Sequence, residues 1–110
     1  MTSKVRVNMF PCDNRTEIEA RSTDDGSYTV KATSTCEKAE RFINGLGPLS
    51  LIDLIDKQES KIFREFIVSE MSANCLVLSG VITATWVEAG MIARTLTKKG
   101  ISPNIELVES

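Results

Sequence analysis

Histidine is missing from this chain of 110 residues. Its absence removes the Ser-His and Cys-His nucleophile pairs, the commonest general base, and every metal site that needs an imidazole. Aromatic residues are scarce, at 5%, and do not alternate with basic ones, so no platform for stacking bases is expected. Neither sign of charge dominates. The formal net charge is −2 and the sequence pI is about 5.2, which argues against duplex nucleic acid as a partner. The beginning, MTSKVRVNMF, has no apolar stretch of the kind a signal peptide needs. Cysteine is sparse and odd in number, at three, with no local C-x-x-C clip. A disulfide framework is therefore not expected, and a reduced, cytoplasmic setting is.

What is present suits one small domain spanning residues 1–110. Hydrophobic residues make up 42% and charged residues 25%, the balance of an ordinary globular chain. The run from Lys4 to Phe10 alternates, with Val5, Val7 and Met9 on one face, and reads as a half-buried strand that Pro11 ends. Thr16–Ser22 reads as a second strand, with Ile18 and Ala20 inward. Asp24-Asp25-Gly26-Ser27 is a hairpin signal leading to a return strand, Tyr28–Ser34, with Tyr28, Val30 and Ala32 inward. A last short strand is expected at Asn104–Val108, with Ile105 and Leu107 inward.

Helices fill the rest. Ser34 with Glu37 three residues on has the form of a capping box, followed by Ala39, Phe42, Ile43 and Leu46 at helical spacing. Leu49–Ile55 reads as a short helix. Ser60–Met71 reads as an amphipathic one, packing through Ile62, Phe63, Phe66, Ile67 and Met71. The most apolar stretch is Cys75–Lys99, with Ser79 as the expected N-cap, a buried helix behind it, and Gly100 and Pro103 as the expected stop. It approaches the ~20 residues that span a bilayer, but Glu88 and the Ser79-Gly80 start argue against a membrane span. Strands segregated from helices predict an α+β fold: two layers, a mainly antiparallel sheet of three to four strands, and helices packed on one face.

Three residues carry the chemistry. Cys12 follows a strand end and a proline, Cys36 falls in the first turn of a helix, and Cys75 precedes the buried helix. Helix N-termini favour thiolates, the form that binds metals and attacks electrophiles. Convergence of the three would make a three-thiolate site for zinc or an iron–sulfur cluster, with a foreign fourth ligand. Their separations, 24 and 39 positions, are unlike the local pairs of zinc modules. Two other readings stay open. The cysteines can be small buried hydrophobes in a structural or interaction domain, with Gly80, Ala84, Ala89, Gly90 and Ala93 as a self-association surface for a homodimer. One of them, Cys36 or Cys75, can be a reactive thiol in a redox protein. Glu88 either reaches the surface or pairs with an arginine such as Arg94 or Arg21, or it is a fourth ligand or proton-handling acid.

The order of these features, Pro11-Cys12 after a strand, a hairpin, Ser34-Thr35-Cys36-Glu37 opening a helix, and Cys75-Leu76-Val77-Leu78-Ser79-Gly80 before a helix with Glu88-Ala89-Gly90, resembles an uncharacterised family of small three-cysteine proteins of anaerobic prokaryotes. Pro11 and Asp13 flank Cys12 where that family has glycines, and Leu76 and Leu78 stand where it has prolines. The resemblance implies that Cys12, Cys36 and Cys75 belong together in a thiolate site. It implies no activity.

Overall fold

The computed structural model describes residues 2–9, 11–100, 102 and 104–110. The expectations placed on Phe10 and Pro103 lie outside them. Three strands, β1 (Thr2–Asn8), β2 (Arg15–Ser22) and β3 (Tyr28–Ser34), form an antiparallel meander in the order β1-β2-β3. The alternation in sequence sets the register. Val5 faces Ile18, Ile18 faces Ala32, and Ala20 faces Val30, so the apolar residues of all three strands share one face. Thr16 and Ser34 extend that face at one end, hydroxyl to hydroxyl at 2.7 Å.

Four helices follow: α1 (Glu37–Asn44), α2 (Leu51–Ile55), α3 (Lys61–Val68) and α4 (Val77–Glu88). They pack against the sheet, so the fold is α+β with two layers. Ile18, Ile43, Leu49, Ile62, Val77 and Val81 are fully buried between the layers. Among the described residues no fourth strand covers the outer edge of β3; a loop and a side chain do so instead. Tyr28 exchanges backbone bonds with Leu49 at 2.8 and 2.7 Å, and the Asn44 amide accepts from Ala32 N–H and donates to Ala32 C=O. Asn44 thus stands in for a strand backbone and blunts an edge that would otherwise invite pairing.

Several boundaries differ from the expectations, each for a physical reason. The start of α1 is Cys36 rather than Ser34. Ser34 Oγ accepts from Cys36 N–H, and it is Glu40, not Glu37, that reaches back to Ser34 N–H at 2.7 Å. The reciprocal box belongs instead to α2, where Ser50 and Asp53 satisfy each other and Asp53 also accepts from Lys61 N–H, tying α2 to α3. Ser60 caps α3 as a true N-cap. Ile67, expected to pack, is 78% exposed because α3 buries only its Ile62 side.

The largest revision concerns α4. It begins at Val77, two residues before Ser79, and ends at Glu88. Val77, Val81 and Ala84 form one buried stripe toward the sheet, which places Ser79 on the exposed side. The end is a Schellman motif. Gly90, with φ of +81°, donates to Val87 C=O at 3.1 Å, and Met91 donates to Trp86 C=O at 2.8 Å. Met91 and Ala93 are consequently exposed, and Arg94–Lys99 is a 3₁₀ segment, not a continuation of the core helix. The strand expected at Asn104–Val108 does not form; Ile105 and Leu107 are exposed. No helix among the described residues is long and apolar enough to cross a membrane.

Gly80 sets how close α4 comes to the sheet. A Cβ there would stand 2.5 Å from Val7 Cγ2 and 2.9 Å from Ile18 Cδ1. Glycine is the residue that lets the helix rest on β1 and β2 at this distance. The single tryptophan fastens the other side of α4, with Trp86 Nε1 donating to Leu54 C=O at 2.8 Å.

Candidate functional site

The meander carries all three cysteines to one end of the sheet. β1 ends there, β2 begins there, and β3 ends there. Cys12 lies in the β1–β2 connection, closed by a bond from Met9 N–H to Asn14 C=O at 2.9 Å. Asp13, just after Cys12, has φ of +60°, the only left-handed non-glycine among the described residues. That loop is bound directly to the residues ahead of Cys36. Thr35 N–H donates to Arg15 C=O at 3.0 Å, Arg15 N–H donates to Thr35 Oγ1 at 3.0 Å, and Thr35 Oγ1 donates to Asn14 Oδ1 at 2.9 Å. Cys36 is the N-cap of α1, half-buried against the core. Cys75 sits one residue ahead of Leu76, the N-cap of α4, and is also half-buried.

The thiols are free and electrically unequal. Cys12 is exposed, and hydrogen bonds from Asn14, main chain first and then side chain, draw its pKa below the ordinary thiol value. Burial pushes the Cys75 thiol up, against a bond from Val77 N–H, and the charges of Cys12 and Cys36 push it further. The three sulfurs are not gathered into a coordination shell. Among the described residues no group of three or more His, Cys, Asp or Glu side chains stands where it could hold a metal ion.

A fourth sulfur shares this end. Met9 points inward from the β1 side, is 7% exposed, and lies with Sδ 3.5 Å from Cys75 Sγ, which donates its S–H to the thioether. The sequence marks Met9 only as an inward-facing residue of a strand. Nothing in its spacing distinguishes a thioether beside a cysteine from any other core methionine.

Glu88 belongs to the opposite end. Its side chain is fully buried, yet four donors meet its two oxygens. Ser3 Oγ at 2.8 Å and Arg94 Nη2 at 3.1 Å reach Oε1; Ser22 N–H and Ser22 Oγ, both at 2.9 Å, reach Oε2. Arg94 Nη1 closes the ring by donating to Ser3 Oγ at 2.8 Å. Burial by itself would raise the carboxyl pKa, but the bonds from Ser22, Ser3 and Arg94 outweigh it and hold the value down to about 2, from 4.5. Of the two arginines expected as partners, Arg94 is the one found; Arg21 pairs with Glu19. Glu88 therefore does not act as a fourth ligand to the cysteines. Ser3, its partner, is six residues of extended strand from Met9, about 20 Å away. Ser3 and Ser22 escaped the sequence reading because small hydroxyls at strand ends carry no periodic signal.

No curated protein and no solved structure matches the chain. A family model does, over residues 3–100, a span that contains all three cysteines, the sheet except Thr2, and the helices α1 to α4. The chain belongs to that family, DUF6951, a family of unknown function.

Proposed function

We propose that Cys12, Cys36 and Cys75 act as one thiolate site that takes a thiophilic metal ion or an iron–sulfur cluster, in a small carrier or accessory protein. The observation that supports this reading is that three separate chain segments bring their cysteines to one end of the sheet. Sulfur is the only soft donor type in the chain, and soft donors select zinc, copper(I) or iron–sulfur clusters over hard cations. Burial first, and the neighbouring thiols after it, keep the proton on Cys75, and a bound metal ion would supply the positive charge that lets it leave. Binding requires the three sulfurs to draw closer than they stand, with Cys12 the exposed member.

Protein purified without oxygen tests the reading through its absorbance and metal content. One ion or cluster per chain, lost in Cys36→Ser, is expected. Metal-free protein whose stability is indifferent to chelator contradicts it. A second reading, an interaction domain that forms a homodimer, is favoured by Leu51, Ile52 and Ile55, which α2 leaves about half exposed. Sedimentation of wild type and Ile52→Lys separates the two. A dimer dispersed by Ile52→Lys, with all three Cys→Ala changes tolerated, supports the interaction domain.

A further inference from the structure

The two edges of the sheet differ. β3 is covered by Leu49 and the Asn44 amide. β1 is the opposite edge, and among the described residues no main-chain bond reaches its outer side. Val5 faces the core from this edge yet is only half-buried, while Ile18, its partner on β2, is fully buried. An open edge is a template for one more strand. The chain also has a strand-like segment without a sheet. Residues 104–108 alternate, with Ile105 and Leu107 on one side and Glu106 on the other, and Ile105 and Leu107 are 79% and 75% exposed.

Charge fits the two to each other. β1 carries Lys4 and Arg6, both exposed on its outward face, and no acid; residues 104–110 carry Glu106 and Glu109 and no cation. We infer that the edge of β1 takes residues 104–108 of a second copy as a fourth strand, and that the exchange is reciprocal, giving a two-fold dimer. With Ile105 and Leu107 beside Val5 and Val7, Glu106 falls beside Arg6 in either strand direction. The competing arrangement sets β1 against β1 of the second copy. Antiparallel pairing with Val5 opposite Val5 places Lys4 opposite Arg6 twice over, and like charges directly opposite destabilise a strand pair. The same two cations thus turn away the bare edge of a copy and admit its acidic segment. This surface lies at the other edge of the sheet from α2, whose approach through Leu49 pairs with Tyr28 of β3. It does not depend on the thiolate reading.

The test is sedimentation velocity over a concentration series on the reduced chain, as wild type, Glu106→Lys and Leu107→Pro, with hydrogen exchange of the β1 amides read at low and high concentration. Both substituted positions are exposed, so neither change threatens the fold. A wild-type dimer is expected, weakened about tenfold or more by Glu106→Lys. Leu107→Pro should abolish it, because proline cannot donate to a ladder. Exchange of the β1 amides should slow as the dimer forms, and Ile52→Lys should leave it intact. A monomer at every concentration overturns the inference, including one in which residues 104–108 are protected within their own chain. A dimer indifferent to both substitutions, or one whose β1 amides exchange no more slowly, overturns it too; if Ile52→Lys disperses that dimer, the α2 surface is what holds the copies together.

Discussion

The two ends of the sheet solve opposite problems with residues of similar reach. At one end a buried carboxylate, Glu88, is met by donors from β1, β2 and the 3₁₀ segment, and no buried side-chain polar atom among the described residues lacks a partner. At the other stand three free thiols and a thioether, with one weak S–H bond, from Cys75 to Met9. The first arrangement is complete and rigid. Each donor cancels part of the desolvation cost of the charge. The second is incomplete, and its most accessible member, Cys12, is carried by a loop with a left-handed residue. The fold satisfies one end fully and leaves the other chemically open, which is why stability is expected to rest on the first and the proposed binding on the second. Helix α4 joins them, with Cys75 just ahead of its N-terminus and Glu88 at its last turn.

Removing the carboxylate should produce the largest effect. Glu88→Ala strands Ser3, Ser22 and Arg94 and is expected to cost about 3 kcal/mol in denaturant unfolding. The same group predicts a pH dependence. Its folded pKa, about 2, lies below the unfolded 4.5, so its stabilisation is present above pH ~4.5 and is lost as pH falls toward ~2. A shift of that size corresponds to about 3 kcal/mol. Glu88→Gln should flatten the acid limb of the stability profile in that window, and an unchanged limb would show that the charge network is not what holds this end.

Gly80→Ala comes next. The added methyl meets Val7 and Ile18, both buried, so α4 must lift from the sheet, at a cost of about 1–3 kcal/mol. Thermal melting checks it. Because the lift moves Cys75 with the helix, metal uptake should weaken as well, which links the two ends through α4. The smallest effect is expected at the open end. Cys12→Ser, at an exposed position, should change stability by less than ~0.5 kcal/mol. A cost comparable to that of Glu88→Ala would make the cysteine end structural and dissolve the contrast.

How much of this could be read from the chain depends on which physical signal each residue carries. The three strands were legible because alternation of Val5, Val7, Ile18, Ala20, Val30 and Ala32 has a period no helix shares, and the strands align in the register that puts those residues on one face. The position of the cysteines at strand and helix ends was legible for the same reason. The limits of α4 were not. Apolar residues continue to Ala93, so composition hides the stop, and the true signal, Gly90 in a left-handed conformation, looks in sequence like one more small residue. Asn104–Val108 alternates as a strand does, yet alternation without a partner edge does not make one. The partnerships of Met9 with Cys75 and of Ser3 with Glu88 were invisible because they arise only when distant segments meet.

The most direct measurement of the central claim is protection of the thiols by metal. Reduced protein is alkylated under native conditions with and without added copper(I) or zinc(II), and each cysteine is followed separately by mass spectrometry. Without metal, Cys12 should react first and Cys75 last, as exposure and the two pKa directions dictate. With metal, Cys12, Cys36 and Cys75 should be protected together, in the same proportion, and released together by chelator. Protection of none of them, or of one cysteine alone, would contradict the claim that this end of the sheet is a single site.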